Sequence, residues 1–294
     1  MSEFIQLFVL GLMEGALYAM CGACIVLVYK ATEVASLAHG QLLAFGAIFF
    51  YVFYGFMELP LVVALLLTFL ASGLLGMIIE RVAMRRLIGQ PLFAAFLVTF
   101  SLFMVLDGVL NIILQGDMLA FPHFLPTGHM EWGPLNMPIG QVVSFFISLA
   151  LFGLLALLFK FTKIGLGMLA TAENHQLAQS TGVRVEKIFS VIWILSAVVA
   201  AVAGMATANI MDIYHPLPML GIKGLIVALF GGLDSLPGAL LAGLFLGIFE
   251  SVAAGYLDPL VGGGVKEVAP YVMLLLILLV KPYGLLGLVR IERI

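Results

Sequence analysis

From Leu59 to Ile79 the chain runs without a charged residue, and stretches of this kind recur along most of its length. A helix needs roughly 20 apolar residues to cross the hydrocarbon of a bilayer, at about 1.5 Å of rise per residue. Lipid offers the backbone no hydrogen-bonding partner, so such runs fold as helices rather than as open strands. On that ruler, spans are expected near 5–29, 38–57, 60–83, 92–115, 139–161, 188–210, 220–234, 237–257 and 270–288. The seventh (IKGLIVALFGGLD and its neighbours) is short and glycine-rich, and is expected to be tilted, broken or re-entrant. The fold class is therefore all-α: a polytopic transmembrane helix bundle of eight to nine segments, forming one domain over residues 1–294.

Composition agrees. Of 294 residues, 63% are hydrophobic and only 10% charged, whereas a soluble domain carries about 25% charged residues. The net charge of −3 is too small to suggest a nucleic-acid partner. The opening MSEFIQLFVLGLMEGALYAM lacks the basic start and small-residue cleavage site of a signal peptide and reads as an uncleaved first span. Cys21 and Cys24 lie in one apolar run with no His or further Cys nearby, so they read as small residues packed inside a helix, and no metal site is expected.

Basic residues set the expected orientation. Arg81, Arg85 and Arg86 follow span three, Lys160, Lys163, Arg184 and Lys187 follow span five, and Arg290 and Arg293 close the chain. The loop at 116–138 carries Asp117 and Glu131 but neither Lys nor Arg. Alternation then puts that loop and the N-terminus in the periplasm, and the C-terminus and the segment 165–187 in the cytoplasm. A weak internal echo joins Ser36–Ala44 to Ser235–Ala242. Both would open a span from the cytoplasmic side, as in a parallel repeat, although apolar sequence also matches by chance.

The segment GLGMLATAENHQLAQSTGVRVEK (165–187) is the one long polar, helix-prone piece between apolar runs. Ala170, Glu173, Leu177 and Ser180 or Thr181 recur on one helical face, and Gly182 offers a C-terminal stop. A helix of about a dozen residues is marginal alone in water. It either docks into a partner protein or lies on lipid headgroups, and the residues by themselves leave both readings open.

Within the spans, the polar residues are Glu14, His39, Gln41, Asp107, Asn111, Asn209, Asp212, Lys223 and Glu250. A charge at the bilayer centre costs about 2.5–3.5 kcal/mol even on a lenient scale, so these groups face protein or water. Glu14, Tyr18, His39 and Gln41 are the candidates for lining a substrate path. Asn111 and Asn209 read as interhelical hydrogen-bonding groups, and Glu250 and Lys223 pair by sign. Gly11 with Gly15, and Gly243 with Gly247, have the spacing that lets helices approach closely. No Gly-x-x-x-x-Gly-Lys-Ser/Thr stretch is present, so the chain cradles no nucleotide in a P-loop of its own, and no catalytic residues are expected.

Five motifs, in order, resemble the membrane permease subunit of the branched-chain amino acid class of bacterial ABC importers. They are Gly11-Leu12-Met13-Glu14-Gly15-Ala16-Leu17-Tyr18-Ala19, Ser36-Leu37-Ala38-His39-Gly40-Gln41, Glu80-Arg81-Val82-Ala83 with Arg85-Arg86-Leu87-Ile88-Gly89, Gly231-Gly232-Leu233-Asp234-Ser235 through Pro237-Gly238-Ala239, and Lys281-Pro282-Tyr283-Gly284-Leu285-Leu286-Gly287. The second departs from the family pattern at Ser36-Leu37 and Gln41. The Arg expected before Glu173 is replaced by Met168-Leu169. The resemblance implies that Ala172, Glu173, Asn174, His175, Leu177, Ala178 and Gly182 form the cytoplasmic loop that seats in the ATPase. It further implies a bacterial inner-membrane complex with a sister permease, two ATPase subunits holding ATP and Mg, and a periplasmic binding protein. The cargo that the resemblance implies is an amino acid or a related amide or acid. An ion-coupled carrier using Glu14, Asp107 or Asp212, or a passive channel for a solute such as urea, is the alternative.

Overall fold

The structure is a computed structural model that describes residues 2–87, 90–133, 135–173, 175–180, 182–214 and 216–287. Ile88, Gly89, Asn174, Thr181, Arg290 and Arg293 lie outside the described residues, as do the side chains of Glu173, His175 and Leu177. The helices are α1 (Ser2–Thr32), α2 (His39–Phe50, continued by a π-helical turn, Tyr51–Phe56), α3 (Leu61–Val82), α4 (Leu92–Leu114), α5 (Ile139–Phe161), α6 (Lys163–Glu173), α7 (His175–Ser180), α8 (Val185–Met211), α9 (Leu220–Gly231), α10 (Leu236–Val261) and α11 (Val265–Val280). A hairpin of two short strands, β1 (His129–Trp132) and β2 (Leu135–Pro138), interrupts them.

The chain is thus an all-α polytopic bundle. Among the described residues, seven helices are long and apolar enough to cross a membrane: Glu3–Thr32, His39–Phe56, Leu61–Leu87, Phe93–Leu114, Ile139–Phe161, Val185–Met211 and Leu236–Val261. The expected count of eight to nine needs α9 and α11 as well, and both are shorter. The 12 residues of α9 rise only about 18 Å, against about 30 Å of hydrocarbon. Its end has a clear cause: Gly232 has φ +101, and the tail after α11 folds back onto it. Leu285 and Leu286 donate backbone hydrogen bonds to the carbonyls of Phe230 (2.8 Å) and Gly231 (3.0 Å), satisfying orphan groups of the α9 terminus. Two of the sequence motifs, around Gly231 and around Gly284, therefore meet in space.

Helix α1 sits at the centre, packed on α10, α8, α9 and α5, while α2 and α3 pack on α8. The glycine spacing explains the tightest seam. A Cβ on Gly15 would lie 2.5 Å from the Gly243 carbonyl oxygen, and one on Gly11 2.6 Å from that of Gly247. The two glycine pairs thus face each other across an antiparallel α1–α10 contact, close enough for backbone-to-backbone van der Waals packing. Cys21 and Cys24 are free and buried in α1, and Cys21 fits against Gly224 of α9. Outward faces invert the soluble pattern: Leu66, Leu70, Ile112, Phe146, Leu154 and Leu279 are exposed, as lipid-facing positions are.

The 116–138 segment is tied down by the end of α8. Asn209 Oδ1 accepts from the backbone of Phe124 (3.1 Å) and Leu125 (3.3 Å), and Asp212 Oδ1 from Phe121 (2.8 Å). Asn111, one turn from Asp107, donates to its carboxylate at 3.2 Å.

Candidate functional site

Glu14 and Tyr18 stand one turn apart on α1 and open onto a single polar cluster built from four helices. Lys266, in the first turn of α11, lies 2.8 Å from Glu14 Oε2 and donates a 3.0 Å hydrogen bond to Oε1. The Tyr18 hydroxyl donates to Glu250 Oε1 of α10 at 3.2 Å. Lys223 of α9 pairs with the same Glu250 oxygen, donates to the Tyr18 hydroxyl at 3.2 Å, and stands 4.9 Å from the ring centroid. Glu250 is also within electrostatic reach of Lys266 and Glu14. Two acids and two bases therefore balance each other inside the bundle, and this is how charge is held in a low-dielectric interior.

The pairing of Glu250 with Lys223 follows from their sign, but Lys266 carried no such signal: it precedes the apolar run of its helix and sits 252 positions from Glu14. Burial grades the two pairs. Glu250 is fully buried, and its Oε2 has no hydrogen-bond partner among the described residues. The Glu14 and Lys266 side chains retain 17% and 40% exposure.

Glu14 also lines a cavity of about 260 Å³ with Gln6, Leu10, His129, Asn136, Pro138 and Gln141. The hairpin forms one wall because the Gln6 carboxamide pairs with the Asn136 backbone, donating to its carbonyl at 2.6 Å and accepting from its N–H at 2.9 Å. His39 and Gln41 do not line this cavity. His39 stacks on Trp193 and lies 2.7 Å from Ser196 Oγ. Ser196 Oγ also donates to the Cys24 carbonyl at 3.0 Å. Gln41 is fully buried, and among the described residues neither end of its carboxamide has a hydrogen-bond partner.

The polar segment is a helical arm, helical over Lys163–Glu173 and His175–Ser180, the described residues on either side of Asn174. It starts at Lys163, directly after the extended Thr162. Ala172 is half-buried and Ala178 buried. Past Ser180, where the described part of α7 stops, Gly182 has φ +88; its N–H reaches the Gln179 carbonyl (3.0 Å), and that of Val183 reaches Ala178 (3.0 Å), a left-handed cap. A hollow of about 480 Å³ lies along Gln179 and Gly182–Lys187. Just beyond it, α8 meets the end of α3: Arg85 holds the buried Glu80 with two 2.9 Å hydrogen bonds and donates to Ser190 at 2.8 Å, and Glu186 lies 3.6 Å from the same guanidinium.

An apolar bundle with a charge-balanced interior cluster and a polar helical arm belongs to the class of multi-pass membrane transport proteins. The family described as the permease component of branched-chain amino acid transport systems matches residues 7–280, and the chain belongs to that family. It is 26% identical to the high-affinity branched-chain amino acid transport system permease protein LivH of Escherichia coli K12, covering 99% of this chain and 98% of that one. It is 28% identical, over the same shares, to the corresponding permease protein BraD of Pseudomonas aeruginosa. Among solved structures, PsaBC from Streptococcus pneumoniae in complex with Fab has a TM-score of 0.50 at 14% identity, over 93% of this chain and 91% of that one. That last likeness is of fold alone.

Proposed function

We propose that this chain is the membrane-spanning subunit of an ABC importer of the bacterial inner membrane. It passes an amino acid, or a related amide or acid, from a periplasmic binding protein to the cytoplasm. The observation that carries this reading is the family match across residues 7–280, joined to a polar helical arm in an otherwise apolar chain. ATP and Mg are bound and turned over on two separate ATPase subunits, and a sister permease completes the pathway. On this reading α9 and α11 complete the membrane domain as its seventh and ninth segments. The 116–138 loop and the N-terminus face the periplasm, and the C-terminus faces the cytoplasm. Ala172, Glu173, Asn174, His175, Leu177, Ala178 and Gly182 seat in the ATPase. Glu14 and Tyr18 lie on the substrate path, and His39 and Gln41 join it in another state of the transport cycle.

The test is the charge reversal Glu173→Lys with Leu177→Asp. A desolvated interface charge that loses its partner typically weakens a complex by 2–5 kcal/mol. The permease should reach the membrane at normal level, recover little ATPase on purification, and lose ATP-driven uptake. Normal ATPase recovery and normal uptake in both variants would leave the arm a surface loop and reopen the gradient-driven alternative.

A further inference from the structure

We propose that the strap at 119–125 is a lid, closed here over the periplasmic ends of α2 and α8, latched by Asp212 and lifted in each round of transport. The proposal rests on the importer reading and orientation above, and adds to them the segment that closes the periplasmic side.

Three observations carry it. First, the strap ties two helix ends together. At the end of α8, Asp212 and Asn209 accept the backbone N–H groups of Phe121, Phe124 and Leu125. Leu119 exchanges two backbone hydrogen bonds with Ile213, at 2.9 and 3.1 Å. At the end of α2, Phe121 and Phe124 close over the fully buried Phe50, their ring centroids 5.5 and 4.9 Å from its own. Second, the latch is strained. Asp212 has φ +64 and ψ −179, a backbone region that is essentially glycine's alone. Such strain persists where the surroundings over-determine the chain, and it clusters at clamps and switches. The Phe121 N–H, held by the Asp212 carboxylate, is part of that constraint, so lifting the strap lets the residue relax. Third, the floor beneath the strap has a second position to gain from. Helix α2 turns π-helical directly after Phe50, a form that favours functional sites. Near its other end, His39 Nδ1 and both ends of the Gln41 carboxamide are buried without a hydrogen-bond partner among the described residues. Native interiors satisfy such groups, so a shift of α2 can add hydrogen bonds there while the strap gives up its own. The strap runs on into the hairpin that walls the cavity beside Glu14, and the same movement opens that cavity to the periplasm.

The lid is tested by locking it. Leu119 and Ile213 face each other as an antiparallel bridge, a pairing that holds Cα atoms about 5.5 Å apart, within the range a disulfide spans. Leu119→Cys with Ile213→Cys is assembled in the full complex in proteoliposomes, and ATP-driven uptake of a labelled mixture of the proteinogenic amino acids is measured. The native Cys21 and Cys24 are buried. Oxidation should lower uptake at least tenfold and dithiothreitol should restore it, while either single cysteine ignores the oxidant. Equal uptake with the disulfide formed and reduced overturns the lid and leaves the importer standing. Opening is also read without transport. Phe50→Cys, beneath the strap, should react with a small impermeant thiosulfonate from the periplasmic side. The reaction should run about tenfold faster once Asp212→Ala removes the charged acceptor of the Phe121 N–H, whereas Asp212→Asn, which keeps an acceptor, should stay near the parent rate. Equal rates with Asp212 and with Asp212→Ala overturn the latch, and no reaction in either overturns the lid. Reactive Phe50→Cys with no uptake by the reduced complex refutes the importer and leaves the lid. If one of the two cysteine designs does not reach the membrane, the other decides alone.

Discussion

Arg85 grips Glu80 through two parallel hydrogen bonds of 2.9 Å, and the same guanidinium reaches Ser190 in the second turn of α8. Ser190 in turn donates to Glu80 Oε2 at 2.9 Å, so the end of α3 and the start of α8 are fastened just past the helical arm. On the proposed function, a displacement passed through the arm would reach both helices together. Lysine keeps the charge but cannot reproduce the planar fork. Arg85→Lys should leave membrane levels normal and lower ATP-driven uptake per permease by about tenfold, within the usual range of coupling energies. Wild-type uptake in this variant would show that the fastening is structural only.

The α1–α10 seam makes a second prediction, with its own control. A Cβ on Gly15 meets the Gly243 carbonyl, and overpacking of this kind costs about 1–3 kcal/mol. Gly108, in α4, has nothing within 4 Å of its Cβ position, and alanine there removes a helix-weakening glycine, worth about 0.5–1 kcal/mol. Thermal denaturation in detergent should therefore show Gly15→Ala melting lower than the parent and Gly108→Ala at or above it. The reverse order would contradict the packing described here.

The buried ion pair makes a third. Lys223→Met leaves the Glu250 carboxylate without its cation, and breaking a buried pair from one side costs about 3–5 kcal/mol. Replacing both, as Lys223→Met with Glu250→Leu, removes the uncompensated charge and should recover most of that loss. Denaturation of the three proteins measures the pattern. Equal destabilisation by the single and double replacements would mean that the pair is not what holds these groups.

What could be read from the sequence depended on how local the signal was. Helices α3, α5 and α10 announce themselves through continuous apolar length, and the Gly11/Gly15 and Gly243/Gly247 spacings mark faces for close approach. That those two faces meet each other is a long-range fact that spacing cannot supply. Helix α11 begins at Val265 rather than near 270, because a proline at 270 is tolerated in an early turn of a helix that its neighbours hold. It stops at Val280 because Pro282 disfavours helical backbone at Lys281. The same shift brought Lys266 into the membrane domain and so gave Glu14 its partner. His39 and Gln41 are polar residues of the kind that line paths, yet here they are packed in, which burial alone reveals.

Orientation is checked by two cysteines. Glu131 lies exposed in β1 and Gln179 exposed in α7, and the native Cys21 and Cys24 are buried, so background labelling is low. Glu131→Cys should react with an impermeant maleimide from the periplasmic side only, and Gln179→Cys only after the cytoplasmic side is opened. The asymmetry of basic residues motivates this, and labelling of both from one side would overturn the orientation.

The arm offers the last prediction at its exit. Gly182 has φ +88, and among the described residues nothing lies within 4 Å of its Cβ position, so a substitution there acts through the backbone and not through a clash. An L-residue in that region costs roughly 1–2 kcal/mol, and asparagine less than most because its short side chain bonds locally. Gly182→Asn should therefore be mild, Gly182→Ala intermediate and Gly182→Val severe. At about 1.4 kcal/mol per factor of ten, the alanine variant alone would depopulate the native turn by about 5- to 30-fold. The arm is polar and outside the apolar spans, so insertion should be the same in all three. ATPase recovered with the purified permease should fall in that order, with uptake following it. If recovery is equal across the series, the left-handed turn is dispensable, and whatever seats the ATPase does not depend on how the chain leaves α7.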